Sequence, residues 1–206
     1  MKDLTKQIVA LKKTEISKKI KRRIKEFEKI RKNKDKIFSE LCFCLLTANF
    51  QAEKSMKLQE KLEKNFFEDK ERELAEKLKK EGHRFWPQRA NCIVLARRLK
   101  EELIEKINKE NEKELREWLV KNVYGLGMKE ASHFLRNIGF KDIAIIDFHI
   151  VDLLVKEKII ERPKTLTKKR YLEIENVLRE VAKKTKLSLA ELDLYLWFIE
   201  TKKVLK

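Results

Sequence analysis

Between residues 14 and 36 the apolar side chains Ile16, Ile20, Ile24, Phe27 and Ile30 recur at spacings of three and four. That spacing places them on one stripe of a long helix whose other faces are basic. Residues 37–48 (IFSELCFCLLTA) are apolar nearly all round and predict a central buried helix. Helical periodicity continues over about 54–66, 70–81, 88–107 and 111–122. Gly82 and Pro87 bracket a short loop, His83-Arg84-Phe85-Trp86, between two of these helices. A strong helix pattern from Met128 to Ile138 ends at Gly139, a residue suited to the left-handed position after a helix. The apolar run Ile143-Ala144-Ile145-Ile146 then leads into Asp147 and a helix that turns Ile150, Val151, Leu153, Leu154 and Val155 inward. Pro163 and the stretch around Lys168 mark a connection, and helices over about 167–184 and 188–201 complete the pattern.

The chain holds only 4 Gly and 2 Pro in 206 residues, too few turn formers for a sandwich or barrel of many short strands. The expectation is an all-α protein. No internal repeat or low-complexity linker divides it, so residues 1–206 are expected to form one domain.

Composition adds a partner. Charged residues make up 41% of the chain, and 51 Lys and Arg against 34 Asp and Glu leave a net charge of +17. A hydrophobic share of 42% supplies a core and excludes wholesale disorder. Much of the charge alternates along solvated helix faces, but the basic excess favours a polyanion, with nucleic acid ahead of a membrane surface. No apolar run reaches the roughly 18–20 residues needed to span a bilayer. The start, MKDLTKQIVALKKTEISKK, scatters charges where a signal peptide would be apolar, so a cytoplasmic location is expected. Cys42, Cys44 and Cys92 are odd in number, lie in apolar contexts and read as buried free thiols.

The densest chemical signal is Leu119–Val151 (LVKNVYGLGMKEASHFLRNIGFKDIAIIDFHIV). It predicts a helix, a tight Gly125-Leu126-Gly127 hairpin, and a second helix. Two glycines permit positive φ and let a phosphate approach the backbone. The amides that follow form an anion site at the helix start. Alone, such a hairpin fits a merely packed helix pair equally well. Lys129 stands in the first turn of the second helix, where the dipole opposes a charged ammonium and favours a neutral amine. Taken singly it reads as a solvated lysine; its alternative is a nucleophile for a sugar C1′. Asp147, eighteen residues further on, reads as a helix N-cap and also as a carboxylate able to orient that amine.

These residues carry a family resemblance. The run Gly125-Leu126-Gly127-Met128-Lys129, then eighteen residues to Ile146-Asp147-Phe148-His149-Ile150, resembles the G-x-G-x-K and Asp-x-His segments of helix–hairpin–helix DNA glycosylases. The stretch Glu40–Asn49, the His83–Trp86 loop with Arg89-Ala90, and Lys206 are similar to the compact, mostly archaeal type-2 8-oxoguanine DNA glycosylases. The last cysteine is Cys92, so the iron–sulfur cluster of endonuclease III-like relatives is not expected.

The resemblance implies two helical lobes with a cleft between them and a helix–hairpin–helix over about 112–138. It implies a bifunctional glycosylase and abasic-site lyase with no metal or organic cofactor, acting as a monomer on double-stranded DNA containing 8-oxoguanine. Lys129 would attack C1′, expel the base and form a Schiff base, and Asp147 would assist it. Gly125, Leu126, Gly127 and His149 would meet the DNA backbone. Phe85 and Trp86 would enter the gap left by the flipped base, and Arg84 and Arg89 would read the opposite base or a phosphate. For Trp86, packing between lobes is an equal alternative; Arg84 and Arg89 read equally as solvated. Lys206 would recognise the damaged base, its α-carboxylate accepting from N7–H, with Trp197 and Phe198 as pocket walls that an ordinary core face explains as well. Asn49, Gln51 and Met128 are weaker pocket candidates. His133, like His149, reads as a satisfied polar group or phosphate contact; neither has metal-site spacing. Two competing functions remain: a glycosylase or lyase for oxidised pyrimidines or abasic sites, and a non-catalytic duplex-binding module.

Overall fold

The computed structural model describes residues 2–206, and among them it contains α-helices and no β-strand. The central helix α3 (Lys34–Thr47) is buried from Ile37 to Thr47. Around it pack α4 (Ala52–Leu62), α5 (Asn65–Glu68), α6 (Glu71–Lys80), α7 (Trp86–Arg97), α8 (Lys100–Lys109), α9 (Glu112–Asn122) and α10 (Met128–Asn137). A second core joins α1 (Lys2–Leu11) and α2 (Glu15–Ile30) to α11 (Phe148–Lys156), α12 (Lys168–Thr185) and α13 (Leu189–Thr201). These two cores are the two lobes. Ile30 packs against both. Among the described residues no helix is long and apolar enough to cross a membrane.

Four elements differ from the periodicity, the first being the helix expected over 54–66, which ends at Leu62 and is followed by the separate turn α5. The helix expected over 14–36 is interrupted after Ile30, because the Asn33 side chain accepts from the amides of Asp35 and Lys36 at 3.0 Å each and caps a new helix. The helix expected over 88–107 is two. The amides of Arg98 and Leu99 reach back three residues, to Leu95 and Ala96, closing α7 with a tight turn before α8 begins. Helix α1 lies outside the predicted elements, although Leu4 and Ile8, one turn apart, are fully buried.

Two close approaches tie the hairpin and its exit to the rest. Gly139 has φ +93°, and a Cβ there would lie 2.9 Å from the Glu28 Cα, so α10 ends pressed against the α2 backbone. The run Ile143–Ile146 is buried yet forms no ladder; side chains hold it instead. The Tyr171 hydroxyl donates to the Ala144 carbonyl (2.8 Å), accepts from the Ile146 amide (3.1 Å) and lies 3.1 Å from Ser132 Oγ. The Ala144 amide donates to Glu175, which pairs in bidentate fashion with Arg116 at 2.5 and 3.1 Å. Arg116 and Glu175 are both buried, so removing either partner would strand a charge at a cost of about 3–5 kcal/mol. This network joins α9, α10 and α12 to the segment that ends at Asp147, and thereby fixes the hairpin against the second lobe.

Candidate active site

The helix–hairpin–helix is α9, a turn over 123–127, and α10. Gly125 sits at φ +87°, and a Cβ there would fall 2.6 Å from Cys92 Sγ. Both backbone conformation and space therefore require glycine. Leu126 is buried in the first core, and its amide is engaged by the Val123 carbonyl at 3.2 Å. Among the described residues, no carbonyl takes the amides of Gly125 and Gly127. The hairpin amides left without a backbone acceptor are thus those of Gly125 and Gly127, with Leu126 as their anchor.

Lys129 lies in that opening turn. Its side chain is 27% exposed, and Nζ stands 3.7 Å from the Glu130 carboxylate, beyond hydrogen-bonding distance. The amine is partly desolvated, sits at the positive end of a helix dipole and is not locked in an ion pair. Asp147 caps α11 through Oδ1, which accepts from the Ile150 amide at 3.0 Å. The cap uses one oxygen and leaves Oδ2 for other work. His149 follows in the first turn of α11, its ring 3.9 Å from Phe148 and 5.1 Å, edge to face, from Trp197. Trp197 Nε1 is buried without a hydrogen-bond partner, a donor directed at no protein acceptor. Phe198 is half-buried beside it on α13.

Behind this face, Arg136 pairs with Asp193 at 2.8 Å, both nearly buried. Burial pushes Asp193 up to about 6; Arg136 and Lys129 oppose that shift and Asp147 adds to it. His133 on α10 corrects one expectation. It is buried, and neither ring nitrogen meets a hydrogen-bond partner of good geometry. Burial holds it well below its ordinary pKa, followed by the charges of Arg136, Lys129 and Lys206, so it sits there as a neutral imidazole.

The segment after α13 crosses from the second lobe to the first. Val204 packs on the second core, Lys203 pairs with Glu53 of α4 at 2.6 Å, and Lys206 Nζ reaches Glu40 of α3 at 2.5 Å. Lys206, Gln51 and Met56 help line a groove of about 880 Å³. Asn49 holds a positive φ of 59° at the turn beyond α3, and Met128 packs on the second core.

The loop before α7 is organised by His83. Its Nδ1 accepts from the Phe85 amide (3.2 Å), so Nε2–H donates to the Leu46 carbonyl (3.0 Å), and the ring lies 4.2 Å from Phe50. Phe85 and Trp86 are half-buried, Trp86 packing against the first core with Lys79 over its ring. Arg84 is exposed beside the Phe85 ring. Arg89 is placed differently from Arg84. It is buried and donates to the Ala48 carbonyl at 2.9 Å, bracing the α3 exit.

The three cysteines are free and buried, and burial pushes each thiol up. Among the described residues no cluster of three His, Cys, Asp or Glu side chains is placed to hold a metal. Sequence reasoning missed the polar seat around Glu40, Gln59 and Asn137, since a lone Glu in an apolar helix names no partner. It also passed over Tyr124 and Phe148, which stand 57% and 67% exposed at the hairpin and at the start of α11.

His83 supplies a pH prediction. Burial, with Arg89 adding to it and the Leu46 hydrogen bond opposing, lowers its pKa from 6.5. A folded pKa below the unfolded one costs nothing at high pH, and stability is lost as pH falls below 6.5, where the unfolded chain takes the proton first. Protonation also removes the acceptor for the Phe85 amide. Between about pH 7.5 and about pH 5.5, the denaturation midpoint should therefore drop further in wild type than in His83→Gln. Asp193 titrates with the opposite sign, so the difference between the two proteins is the measure; equal drops would remove His83 from the account.

Two helical cores, a glycine hairpin and a lysine in the opening turn of the next helix define a helix–hairpin–helix DNA glycosylase fold. A family model described as 8-oxoguanine DNA glycosylase matches residues 20–187, and the chain belongs to that family. It is 52% identical to the 8-oxoguanine DNA glycosylase/AP lyase of Korarchaeum cryptofilum, over 99% of this chain and 98% of the relative. Its structure superposes with a TM-score of 0.95 on the Methanocaldococcus jannaschii 8-oxoguanine glycosylase/lyase crystallised with a 15mer DNA containing 8-oxoguanine, at 50% identity and covering 98% and 99% of the two chains. The 8-oxoguanine DNA glycosylase of Thermotoga maritima gives 0.94 at 40% identity, with both chains fully covered.

Proposed function

We propose that this protein excises 8-oxoguanine from duplex DNA and cleaves the strand at the resulting abasic site. The observation that carries the reading is Lys129: a partly buried amine outside any tight ion pair, in the opening turn of α10, in a chain of this family. The hairpin donors of Gly125 and Gly127, with the α10 turn, hold backbone phosphates, and Leu126 pins the hairpin that presents them. His149 lies on the same face, and the exposed rings of Tyr124 and Phe148 suit contact with DNA. The damaged nucleotide leaves the stack to reach Lys129. Phe85 and Trp86 fill the space it vacates and Arg84 meets the opposite base or a phosphate. Arg89 acts there indirectly, by bracing the turn after α3.

Lys129 in its neutral form attacks C1′ as the glycosidic bond breaks, and the departing base takes a proton. Asp147 Oδ2 stabilises the positive charge that builds on the sugar and accepts the proton the amine sheds. Ring opening gives an imine between Lys129 and C1′. Loss of a C2′ proton then expels the 3′ phosphate, and water hydrolyses the imine to free the amine. The base itself rests against Trp197 and Phe198, with the unpaired Trp197 donor and Lys206 at its edge. The protein acts as a monomeric single domain in the cytoplasm, on chromosomal DNA, with no cofactor.

The test is a panel of matched duplexes containing 8-oxoguanine, guanine, thymine glycol or an abasic site, each with borohydride. Strand cleavage and a covalent adduct are expected with 8-oxoguanine and the abasic site. Preference for thymine glycol would reassign the substrate; no adduct with any duplex would leave a binding module.

A further inference from the structure

We propose that Glu40 is a positioning residue for Lys206, and that through this pair the central helix controls selection of the damaged base. The proposal rests on the placement of Lys206 in the base pocket. Glu40 stands in the middle of a helix buried from Ile37 to Thr47, where an apolar residue would meet every packing demand. A carboxylate there is costly unless it is fully satisfied and neutralised. Its oxygens are satisfied: Oε2 accepts from Asn137 Nδ2 at 2.9 Å, and Oε1 accepts from Gln59 Nε2 at 3.1 Å. Both of those partners are neutral. Among the described residues, the cation paired with Glu40 is Lys206, with Nζ 2.5 Å from Oε1.

The seat specifies its occupant completely. Lys206 Nζ also donates to Gln59 Oε1 and lies 4.3 Å from the centre of the Phe43 ring. An ammonium has three N–H bonds, and two acceptors with one aromatic face account for all three. Residues beyond a last helix fray unless something ties them down. Here the tie is a buried charge on the opposite lobe. The seat is also tied to the helix that carries Lys129. Asn137 and Lys129 belong to the same helix, and His133 between them is under the charges of both Lys129 and Lys206. Glu40 thus holds the Lys206 side chain against the helix that carries Lys129.

Base removal depends on how the pocket grips the base, whereas cleavage at a preformed abasic site has no base to grip. The experiment measures single-turnover rates for both reactions in the full chain, for wild type, Glu40→Gln, Lys206→Ala and the double variant. A charged hydrogen bond lost from the seat should lower the ratio of base removal to abasic-site cleavage about tenfold in Glu40→Gln. The double variant should fall no further than Lys206→Ala, because both changes break one pair. Gln59→Met, which removes one acceptor and keeps the charge, should shift the ratio in the same direction by less, and serves if Glu40→Gln folds poorly. Parallel losses in both reactions, an unchanged ratio, or additive effects in the double variant would each overturn the proposal. If Lys206→Ala lowers the ratio and Glu40→Gln does not, Lys206 keeps its place and Glu40 is structural. If Lys206→Ala itself spares the ratio, the placement of Lys206 fails first and the proposal with it.

Discussion

Lys129→Gln should abolish base removal and borohydride trapping, with a loss on the order of 10⁴ or more in the single-turnover rate. Glutamine keeps a linear polar side chain, one bond shorter, but its amide nitrogen has no lone pair able to attack C1′ or form an imine. Binding should survive. On the proposed reading it rests on the hairpin amides and the distributed basic excess, so affinity for an undamaged duplex should stay within about tenfold after removal of one charge. The fold should survive as well, since Nζ makes no hydrogen bond that the structure depends on. The decisive measurement is trapping on an abasic duplex at saturating protein. Undiminished adduct in the variant would show that another amine is the nucleophile.

Asp147→Asn should separate the helix cap from the catalytic part proposed for the same side chain. Asparagine keeps Oδ1 as acceptor for the Ile150 amide, so α11 retains its cap and thermal stability should change little. Its amide nitrogen cannot accept a proton or offset positive charge on the sugar. Base removal should therefore fall by about 10²–10⁴-fold. Asp147→Ala should add a stability loss of about 1 kcal/mol from the missing cap. Full activity in Asp147→Asn would reduce Asp147 to a helix cap.

The hairpin and the Asp147 cap were legible in the sequence because that information is local, whereas the catalytic parts proposed for Lys129 and Asp147 came from the family resemblance. Glycine spacing, helix starts and an N-cap are set by neighbours within a few residues. Most helices were legible for the same reason, as stripes such as Ile16 to Ile30. The interruption at Asn33 was legible in part, since Asn is a capping residue, but the stripe runs up to it and masks it. Nothing local marks the turn at Arg98 and Leu99. Burial of charge was the main thing sequence could not show. Arg84 and Arg89 look alike in the chain, yet one is exposed and the other is enclosed by the Ala48 carbonyl and the Phe85 ring. The contacts of Tyr171 with Ser132 and Ala144 and the Glu40–Lys206 pair join residues 27 to 166 positions apart, and no periodicity encodes such pairings.

The second core draws α1 and α2 together with α11 to α13, while α3 to α10 lie between them in the chain. On the ribosome this order has a consequence. The first lobe can close on itself as soon as α10 has emerged, but the stripe of α2 waits for partners made more than a hundred residues later. Until α13 is released, the α9–α10 hairpin that carries Lys129 is in place, while the second core lacks its last helix. The first core is thus complete, with Lys129 already on the hairpin it holds, before the second core has all its helices.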